Sequence, residues 1–479
     1  MGPKVLLPFL LLATPSLLHG SLAGAEIDLR HLQNDTYEVD LVSWWNCDGA
    51  TVPQTMQVEY DSPCGSGVLT VTAVGNEEVS MLCPTALSNS SCNGGFLPGY
   101  RRFVHQATID LPPCDSWAVS FQRCCLDPVN SNLSAQHMTV TTTLNNLLMP
   151  CRDTPRYEQE DLPYTGSLGA FEHALLPWSD GPGFFTSSLG PLLDTTGTPY
   201  TYAPPFTGAE PYAGLLLDSA LAQLSAPASG LAGGYVINVN GTLSDGLGNV
   251  LGTVQRMFLL VAIQEEAFAP ALASGTIQLM SGQAQVTGPH ELSLEPGQSF
   301  CFQAEFFDPD SADVITLGSD AATILPGATF TSTPGDTATA SICWTAPPGT
   351  LGRLHFRIDA RDDHCLLEGR QSFGYTVVVV PDTLDPCLNV GSEEPHRPVT
   401  SVSVLPNPAD GPFHMRFPFA ASQLARLDAT DLHGRQVPVS WTVGPDDAIL
   451  VIPPSDRRGL VLIRWHTAGG TGVVRVLLR

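Results

Sequence analysis

Two short acidic segments near the middle of the chain carry the residues best suited to chemistry. They are Phe306-Phe-Asp-Pro-Asp-Ser-Ala-Asp313 and Arg361-Asp-Asp-His364. Ca²⁺ takes about six to eight oxygen ligands, and carboxylates are the usual donors in proteins. If both segments follow strands that finish at one end of a β-sandwich, their carboxylates converge and predict a calcium site, formed by Asp308, Asp310, Asp313, Asp362 and Asp363. Because Asp, Pro and Ser also favour turns, two acidic turns without a metal are the alternative.

Linear enzyme motifs are missing from the sequence. It contains no Gly-x-Ser-x-Gly, no His-Glu-x-x-His, no glycine-rich phosphate loop and no dinucleotide fingerprint. Carboxylate pairs that are distant in sequence can hydrolyse glycosidic bonds without such a motif, so a secreted hydrolase stays an alternative. The low share of charged residues, 14%, and the repeated β-organisation favour a protein that is not an enzyme. Trp44, Trp45 and Tyr60 could form an aromatic platform for a sugar, or simply pack in a core.

The twelve cysteines fall into two even groups, eight between Cys47 and Cys151 and four between Cys301 and Cys387. Even counts in an exported chain predict disulfides, and the absence of Cys-x-x-Cys argues against a zinc site. The adjacent Cys124 and Cys125 would point to opposite faces of a strand, so we expect each to bridge to a different element.

Within the second group, the segments Ser299–Phe302 and Ser341–Trp344 both resemble interior strands of an Ig-like sandwich, which would lie side by side. This arrangement predicts a disulfide between Cys301 and Cys343. It leaves Cys365 to pair with Cys387.

Composition indicates many short strands joined by turns. The 479 residues include 44 Gly and 41 Pro, and hardly any segment has a sustained helical period. A net charge of −26 repels phosphate backbones and argues against nucleic-acid binding.

The fold prediction is all-β, with tandem Ig-like sandwich domains, a disulfide-rich N-terminal domain and a small C-terminal β domain. Two segments share the order Ala-Pro turn, strand, acidic turn, strand, which indicates a repeat near 110 residues. The predicted boundaries are a signal peptide at 1–25, a cysteine-rich β domain at 26–152, a degenerate Ig-like repeat at 153–266, an Ig-like repeat with the acidic loops at 267–381, a linker at 382–400 and the C-terminal domain at 401–479.

The N-terminus has the pattern of a cleaved signal peptide. Lys4 precedes a short apolar run, and Ala23-Gly-Ala25 fits the small-x-small rule, which places the cut after Ala25. No later apolar stretch is long enough to cross a membrane as a helix, which takes about 20 residues.

The C-terminal segment resembles the type A sorting domain of the type IX secretion system of Bacteroidota. The resemblance rests on Pro406-Asn407-Pro408 near its start, on Asp431-Leu-His-Gly434-Arg435 at the end of a strand, and on a hydrophobic strand led by Gly459. It implies export through the periplasm to the cell surface or the medium, recognition by the secretion machinery, and removal of the domain by its sorting protease.

The N-terminal region resembles gliding-motility-associated surface proteins of the same bacteria. The matching pieces are Asn46-Cys-Asp-Gly49, the strand from Trp117 to Cys125, and Thr143-Leu-Asn-Asn146 before Cys151. These resemblances imply a non-catalytic binding or adhesion protein with an extracellular glycan or protein ligand. A structural surface spacer is the other alternative to the hydrolase.

Overall fold

Strands form nearly all the regular structure of the chain in the computed structural model. The described residues run from 22 to 380 and from 403 to 478. Some residues inside these two ranges are not described. In the first range they are residues 50, 128, 134–136, 159–161, 180–182, 265–267 and 311–312, and in the second they are residues 406–408, 410, 418–419, 421–422, 432–435, 445–447, 455–457 and 468–469. The two helices in these ranges are single turns, α1 (Pro84–Leu87) and α2 (Ala321–Ile324), and no described helix is long and apolar enough to span a membrane. The predicted all-β sandwich class is confirmed.

The chain divides into two compact units, residues 1–388 and 389–479. The first unit contains two large hydrophobic cores. We call the part of the chain around the first core, residues 22–263, the first domain, and the part around the second core, residues 271–379, the second domain. The strands of the first domain are β1 (Leu22–Gln33), β2 (Thr36–Asn46), β3 (Thr55–Ser62), β4 (Gly65–Glu78), β5 (Tyr100–Asp110), β6 (Trp117–Cys124), β7 (His137–Leu144), β8 (Arg156–Tyr157), β9 (Tyr164–Gly166), β10 (Phe171–Ala174), β11 (Pro177–Trp178), β12 (Phe184–Leu189), β13 (Leu216–Asp218), β14 (Gln223–Ala226), β15 (Gly233–Ser244) and β16 (Val250–Ile263).

A large sheet of eleven strands organises the first domain, in the order β1-β2-β5-β4-β3-β6-β7-β16-β15-β12, with β9 also paired to β16. Strand β16 joins the parts of this sheet, because β15 pairs with one of its edges while β7, β1 and β9 pair with the other. Its residues Met257 and Phe258 pair with Ala25 and Gly24 of β1. The seven strands from β1 to β7 therefore curl until both ends of the series meet at β16.

This topology corrects the predicted boundary at residue 152. The segments 26–152 and 153–266 share one sheet and one hydrophobic core, in which Ile27 and Trp44 pack with Val254 and Phe258. The long strands β15 and β16 were expected to close a separate Ig-like repeat. They complete the first domain instead, since without them β1 and β7 would leave unpaired edges and an open core.

The N-terminal strand also conflicts with the position predicted for signal cleavage. Leu22, Ala23 and Ala25 are buried in β1, and Gly24 lies so close to β16 that an added Cβ would be 2.8 Å from the Met257 carbonyl oxygen. A cut after Ala25 would remove these four residues from the core.

The second domain is a sandwich of two five-stranded sheets. Its strands are β17 (Ala271–Leu272), β18 (Gln278–Gly282), β19 (Gln285–Gly288), β20 (Glu291–Leu294), β21 (Ser299–Phe307), β22 (Thr316–Ser319), β23 (Thr329–Thr333), β24 (Thr337–Thr345), β25 (Gly352–Arg361) and β26 (Arg370–Val379). One sheet has the order β17-β21-β24-β23 with β18 beside β21, and the other has the order β19-β20-β26-β25-β22. Phe302 of the first sheet packs against Phe356 and Tyr375 of the second.

A covalent and polar junction joins the two domains. Cys83, just before α1, forms a disulfide with Cys365, and the Cys83 backbone N–H donates to the Leu366 carbonyl at 3.1 Å. The buried amide of Gln223 donates to the Ser372 carbonyl and accepts from the Gly374 N–H, each at 2.9 Å. The domains are therefore held to each other by specific contacts rather than by a linker alone.

The other disulfides in the described residues are Cys47–Cys92, Cys64–Cys114, Cys124–Cys125 and Cys301–Cys343. Two expectations are wrong. Cys365 pairs with Cys83 and not with Cys387, which lies outside the described residues, and the adjacent Cys124 and Cys125 pair with each other. Local strand patterns gave no sign of the long-range partner. Cys151 is exposed and has no disulfide partner among the described residues.

The C-terminal unit is a separate small β-domain. Its strands are β27 (Ser403–Leu405), β28 (Phe413–Arg416), β29 (Leu424–Asp431), β30 (Ser440–Val443), β31 (Ile449–Ile452), β32 (Gly459–Thr467) and β33 (Gly470–Leu478). They form a four-stranded sheet, β27-β28-β31-β30, and a three-stranded sheet, β29-β32-β33, which share a core around Met415, Val451 and Ile463.

Candidate functional site

The two predicted acidic segments meet at one end of the second domain. Asp308 follows β21 directly, while Asp362 and Asp363 follow β25. These strands belong to opposite sheets, so the segments converge across the sandwich rather than along neighbouring strands. Ser311 and Ala312, which lie between the aspartates of the first segment, are outside the described residues.

Three of the carboxylates form the buried centre of the cluster. Asp308, Asp313 and Asp362 each offer one oxygen, and these oxygens all lie within 4.8 Å of one another. Asp308 and Asp362 are only 7% and 5% exposed, and the Oδ2 atom of each is buried without a hydrogen-bond partner. Buried carboxylate oxygens without a hydrogen-bond partner are unfavourable unless a cation or a proton satisfies them.

The other oxygens of these two residues hold the loops in place. Asp308 Oδ1 accepts the Asp310 N–H at 2.7 Å, and Asp362 Oδ1 accepts the N–H groups of Gly369 and His364 at 2.7 and 3.1 Å. Each side chain therefore fixes its own turn with one oxygen, Oδ1, and has no hydrogen-bond partner at the other. An added Cβ at Gly369 would lie 1.9 Å from Asp362 Oδ2, so only glycine leaves room for that oxygen.

The environment of the cluster disfavours several negative charges. Burial, with a smaller contribution from the neighbouring Asp308 and Asp313, raises the pKa of Asp362 to about 7, although the N–H groups of Gly369 and His364 oppose the rise. Burial likewise raises the pKa of Asp308 above its usual range. A divalent cation would remove this penalty, because it stabilises the ionised carboxylates.

The remaining predicted ligands divide between a second group and a structural role. Asp310 and Asp313 form a group with His364, whose Nδ1 lies 3.1 Å from Asp313 Oδ2. The predicted ligand set did not include His364, although its position beside Asp363 was the available signal. Asp363 belongs to neither group, since its Oδ1 accepts the Val314 N–H at 2.7 Å and so ties the two segments together.

The proposed aromatic platform is not a surface feature. Trp44 and Trp45 are 1% and 4% exposed, and the guanidinium of Arg256 lies over the Trp44 ring at 5.5 Å. Their packing in the core is the alternative that the sequence analysis left open.

The residues of the sorting motif are described only in part. Gly459 begins β32 with a φ of 104°, a conformation that favours glycine, and Asp431 ends β29. Pro406, Asn407, Pro408, Gly434 and Arg435 lie outside the described residues.

Comparisons with known proteins give no family. No protein-family model matches the sequence, and no curated protein matches it. Among solved structures, the chain is similar to titin Ig tandem domains A164-A165, with 9% identity, 44% of this chain and 96% of that chain covered, and a TM-score of 0.18. The extracellular domains 3–5 of Drosophila OTK match with 11% identity, 68% and 97% coverage and a TM-score of 0.14. Domains 5-6 of the S-layer protein SbsC match with 16% identity, 42% and 98% coverage and a TM-score of 0.14. At these TM-scores the similarities carry no further argument.

Proposed function

We propose that this chain is an exported, non-catalytic binding or adhesion protein of the cell surface or the medium, with a calcium-stabilised second domain. Five disulfides among the described residues support an oxidising, extracytoplasmic compartment. The observation that carries the calcium part is that two buried carboxylates of this cluster, Asp308 and Asp362, each have an oxygen, Oδ2, without a hydrogen-bond partner.

Asp308, Asp313 and Asp362 are the residues that would hold the ion. Bound Ca²⁺ would neutralise the cluster and fix the loops after β21 and β25 against each other. Such sites in extracellular modules bind with Kd values of about 10⁻⁴ to 10⁻³ M. At about ten to a hundred times its Kd, calcium would then add about 1.4 to 2.7 kcal/mol to the free energy of unfolding.

Thermal unfolding of the whole mature chain tests the calcium proposal. The midpoint is measured in millimolar CaCl₂ and in chelator at matched ionic strength. We expect calcium to raise the midpoint of the native chain and of a Glu305→Gln control, which removes an exposed carboxylate from the same domain. Asp308→Asn and Asp362→Asn should each abolish the shift. An equal shift in these variants, or no shift in the native chain, would leave two acidic turns without a metal.

For export we propose the type IX secretion system, with recognition of the C-terminal unit and its removal by the sorting protease. The support is the resemblance of residues 401–479 together with the separate, compact nature of that unit. Deletion of 401–479 should trap the protein in the periplasm, as measured by fractionation and surface labelling. Normal surface delivery of the truncated chain would refute this route.

A further inference from the structure

A charged cavity of about 270 Å³ lies in the first domain, remote in sequence from the acidic cluster. Alternate residues of neighbouring strands face it, because side chains two apart on a strand share one face. They are Asp28 and Arg30 of β1, Asp40 and Trp44 of β2, Arg102 of β5 and Arg256 of β16. The segment Arg156–Glu158 closes another side, and the side chain of Arg30, 43% exposed, stands at the entrance.

Arginine residues are concentrated around this cavity. Residues 22–263 include seven arginines and no lysine, and four of them, Arg30, Arg102, Arg156 and Arg256, line the cavity. The chain as a whole is strongly acidic, so this grouping does not follow from composition. Guanidinium groups present planar pairs of donors that fit a carboxylate.

The arginines are held in position before any ligand arrives. Arg156 stacks on the Trp178 ring at 3.5 Å and pairs with Glu158 at 2.9 Å. Arg256 pairs with the buried Glu26 and donates to the Tyr157 carbonyl at 2.7 Å. Arg102 pairs with Glu77 at 2.9 Å. Such fixed donors lower the ordering cost of binding.

The wall also carries oxygens that lack donors. Asp40 is only 7% exposed; its Oδ2 pairs with Arg30 at 2.6 Å, but its Oδ1 is buried without a hydrogen-bond partner. Asp28 Oδ1 is likewise buried without a hydrogen-bond partner. Burial raises the pKa of Asp28 well above its usual range, and the nearby Glu26 adds to this.

We propose that this cavity binds a small polyhydroxylated carboxylic acid, a uronic acid, either free or as the terminal residue of an acidic glycan. The ligand carboxylate would accept from the arginines, and its hydroxyl groups would donate to Asp40 Oδ1 and Asp28. The volume of the cavity, about 270 Å³, is close to the lower end of the range for small-molecule pockets, about 300 Å³. The inference rests on the binding role proposed above and names its ligand class. It is independent of the export route and of calcium.

Isothermal titration of the whole mature chain with D-glucuronate tests the proposal. We expect saturable binding of glucuronate, with a Kd at least about tenfold lower than the Kd of glucose or of acetate. Glucose lacks the carboxylate, and acetate lacks the hydroxyl groups. Methyl β-D-glucuronide distinguishes the two sources of the ligand. Binding of the glycoside assigns the cavity to chain ends, and binding of the free acid alone assigns it to a soluble acid.

Two variants locate the binding. Arg30→Gln removes one guanidinium at the exposed entrance, and Val42→Phe fills the cavity without a change of charge. Each should weaken glucuronate binding about tenfold or more. Arg101→Gln is the matched control, because Arg101 precedes Arg102 on β5 but faces away from the cavity. Circular dichroism confirms that each variant folds.

The following results would overturn the inference. They are absence of saturable glucuronate binding, equal binding of glucuronate and acetate, and unchanged affinity in both cavity variants. Tighter binding of glutamate than of glucuronate would replace the hydroxy acid by an amino acid and also overturn it. None of these results bears on surface delivery, which the deletion of 401–479 measures separately.

Discussion

The first and second domains are both made of β-strands packed face to face, but they close their cores over very different lengths of chain. In the second domain the central pair β21 and β24 is about forty residues apart, with Cys301 opposite Cys343. In the first domain β1 pairs with β16, more than two hundred residues later, and Glu26 forms an ion pair with Arg256. The second domain is a local structure, whereas the first depends on its two ends meeting.

Dividing the first domain should have the largest effect. A fragment of residues 22–152 lacks β15 and β16, so its core stays open, and we expect it to be unfolded in circular dichroism and tryptophan fluorescence. Residues 268–380 with Cys365→Ser retain their whole core and should fold cooperatively. The control is 22–264 with Cys83→Ser, which should also fold. A cooperative transition of 22–152 would show that the boundary at 152 is real.

The two domains also differ in the environment of an ion pair. Glu26 and Arg256 are 0% and 6% exposed in their side chains, while Glu291 and Arg353 of the second domain are 30% and 35% exposed. Glu26→Gln leaves a buried guanidinium without its charged partner and should lower the free energy of unfolding by about 3–5 kcal/mol. Glu291→Gln should cost less than about 1 kcal/mol. Urea denaturation measures both, and equal losses would contradict the contrast.

The N-terminal residues sharpen the same comparison. A chain that begins at Glu26 loses the buried Leu22, Ala23 and Ala25 and the pairing of Gly24 with β16. Relative to a chain that begins at Leu22, we expect a loss of about 2–4 kcal/mol in urea denaturation. N-terminal sequencing of the secreted protein should find a start at or before Leu22. Equal stability of the two chains would restore the cut after Ala25.

A histidine at the junction of the domains should give a smaller, pH-dependent effect. His173 of β10 is 5% exposed, stacks on Phe171 and lies near Phe258. Burial, together with the nearby Arg370, lowers its pKa to about 3. The folded pKa of His173 is below its unfolded value of about 6.5, so the unfolded chain binds more protons between these two values. The free energy of unfolding therefore decreases as the pH is lowered through this range.

The loss should reach about 2 kcal/mol between pH 7 and pH 5. His173→Gln should remove that part of the pH dependence, while His137→Gln, at an exposed position on β7, should keep it. Urea denaturation at the two pH values measures the difference. An identical pH dependence in native chain and His173→Gln would show that this histidine is not protonated on unfolding.

The same contrast explains which features the sequence could predict. Turn residues and period-two alternation marked the strands around Cys301 and Cys343 and placed Asp308 and Asp362 directly after strands. These patterns are local, and so is the second domain. The partner of Cys83 and the joining of β1 to β16 depend on tertiary pairing, for which periodicity contains no information. The arginine cavity was missed for the same reason, because its four guanidiniums come from separate segments.

The Cys83–Cys365 bridge has a mechanical consequence. Under a force that unfolds the chain from its two ends, the covalent path passes directly from Cys83 to Cys365 and bypasses the residues between them. Their separation of 282 residues corresponds to roughly 950 Å of extended chain at about 3.4 Å per residue, and this length stays hidden while the bridge is oxidised. Reduction of one bond would therefore turn a short, stiff tether into a long and extensible one.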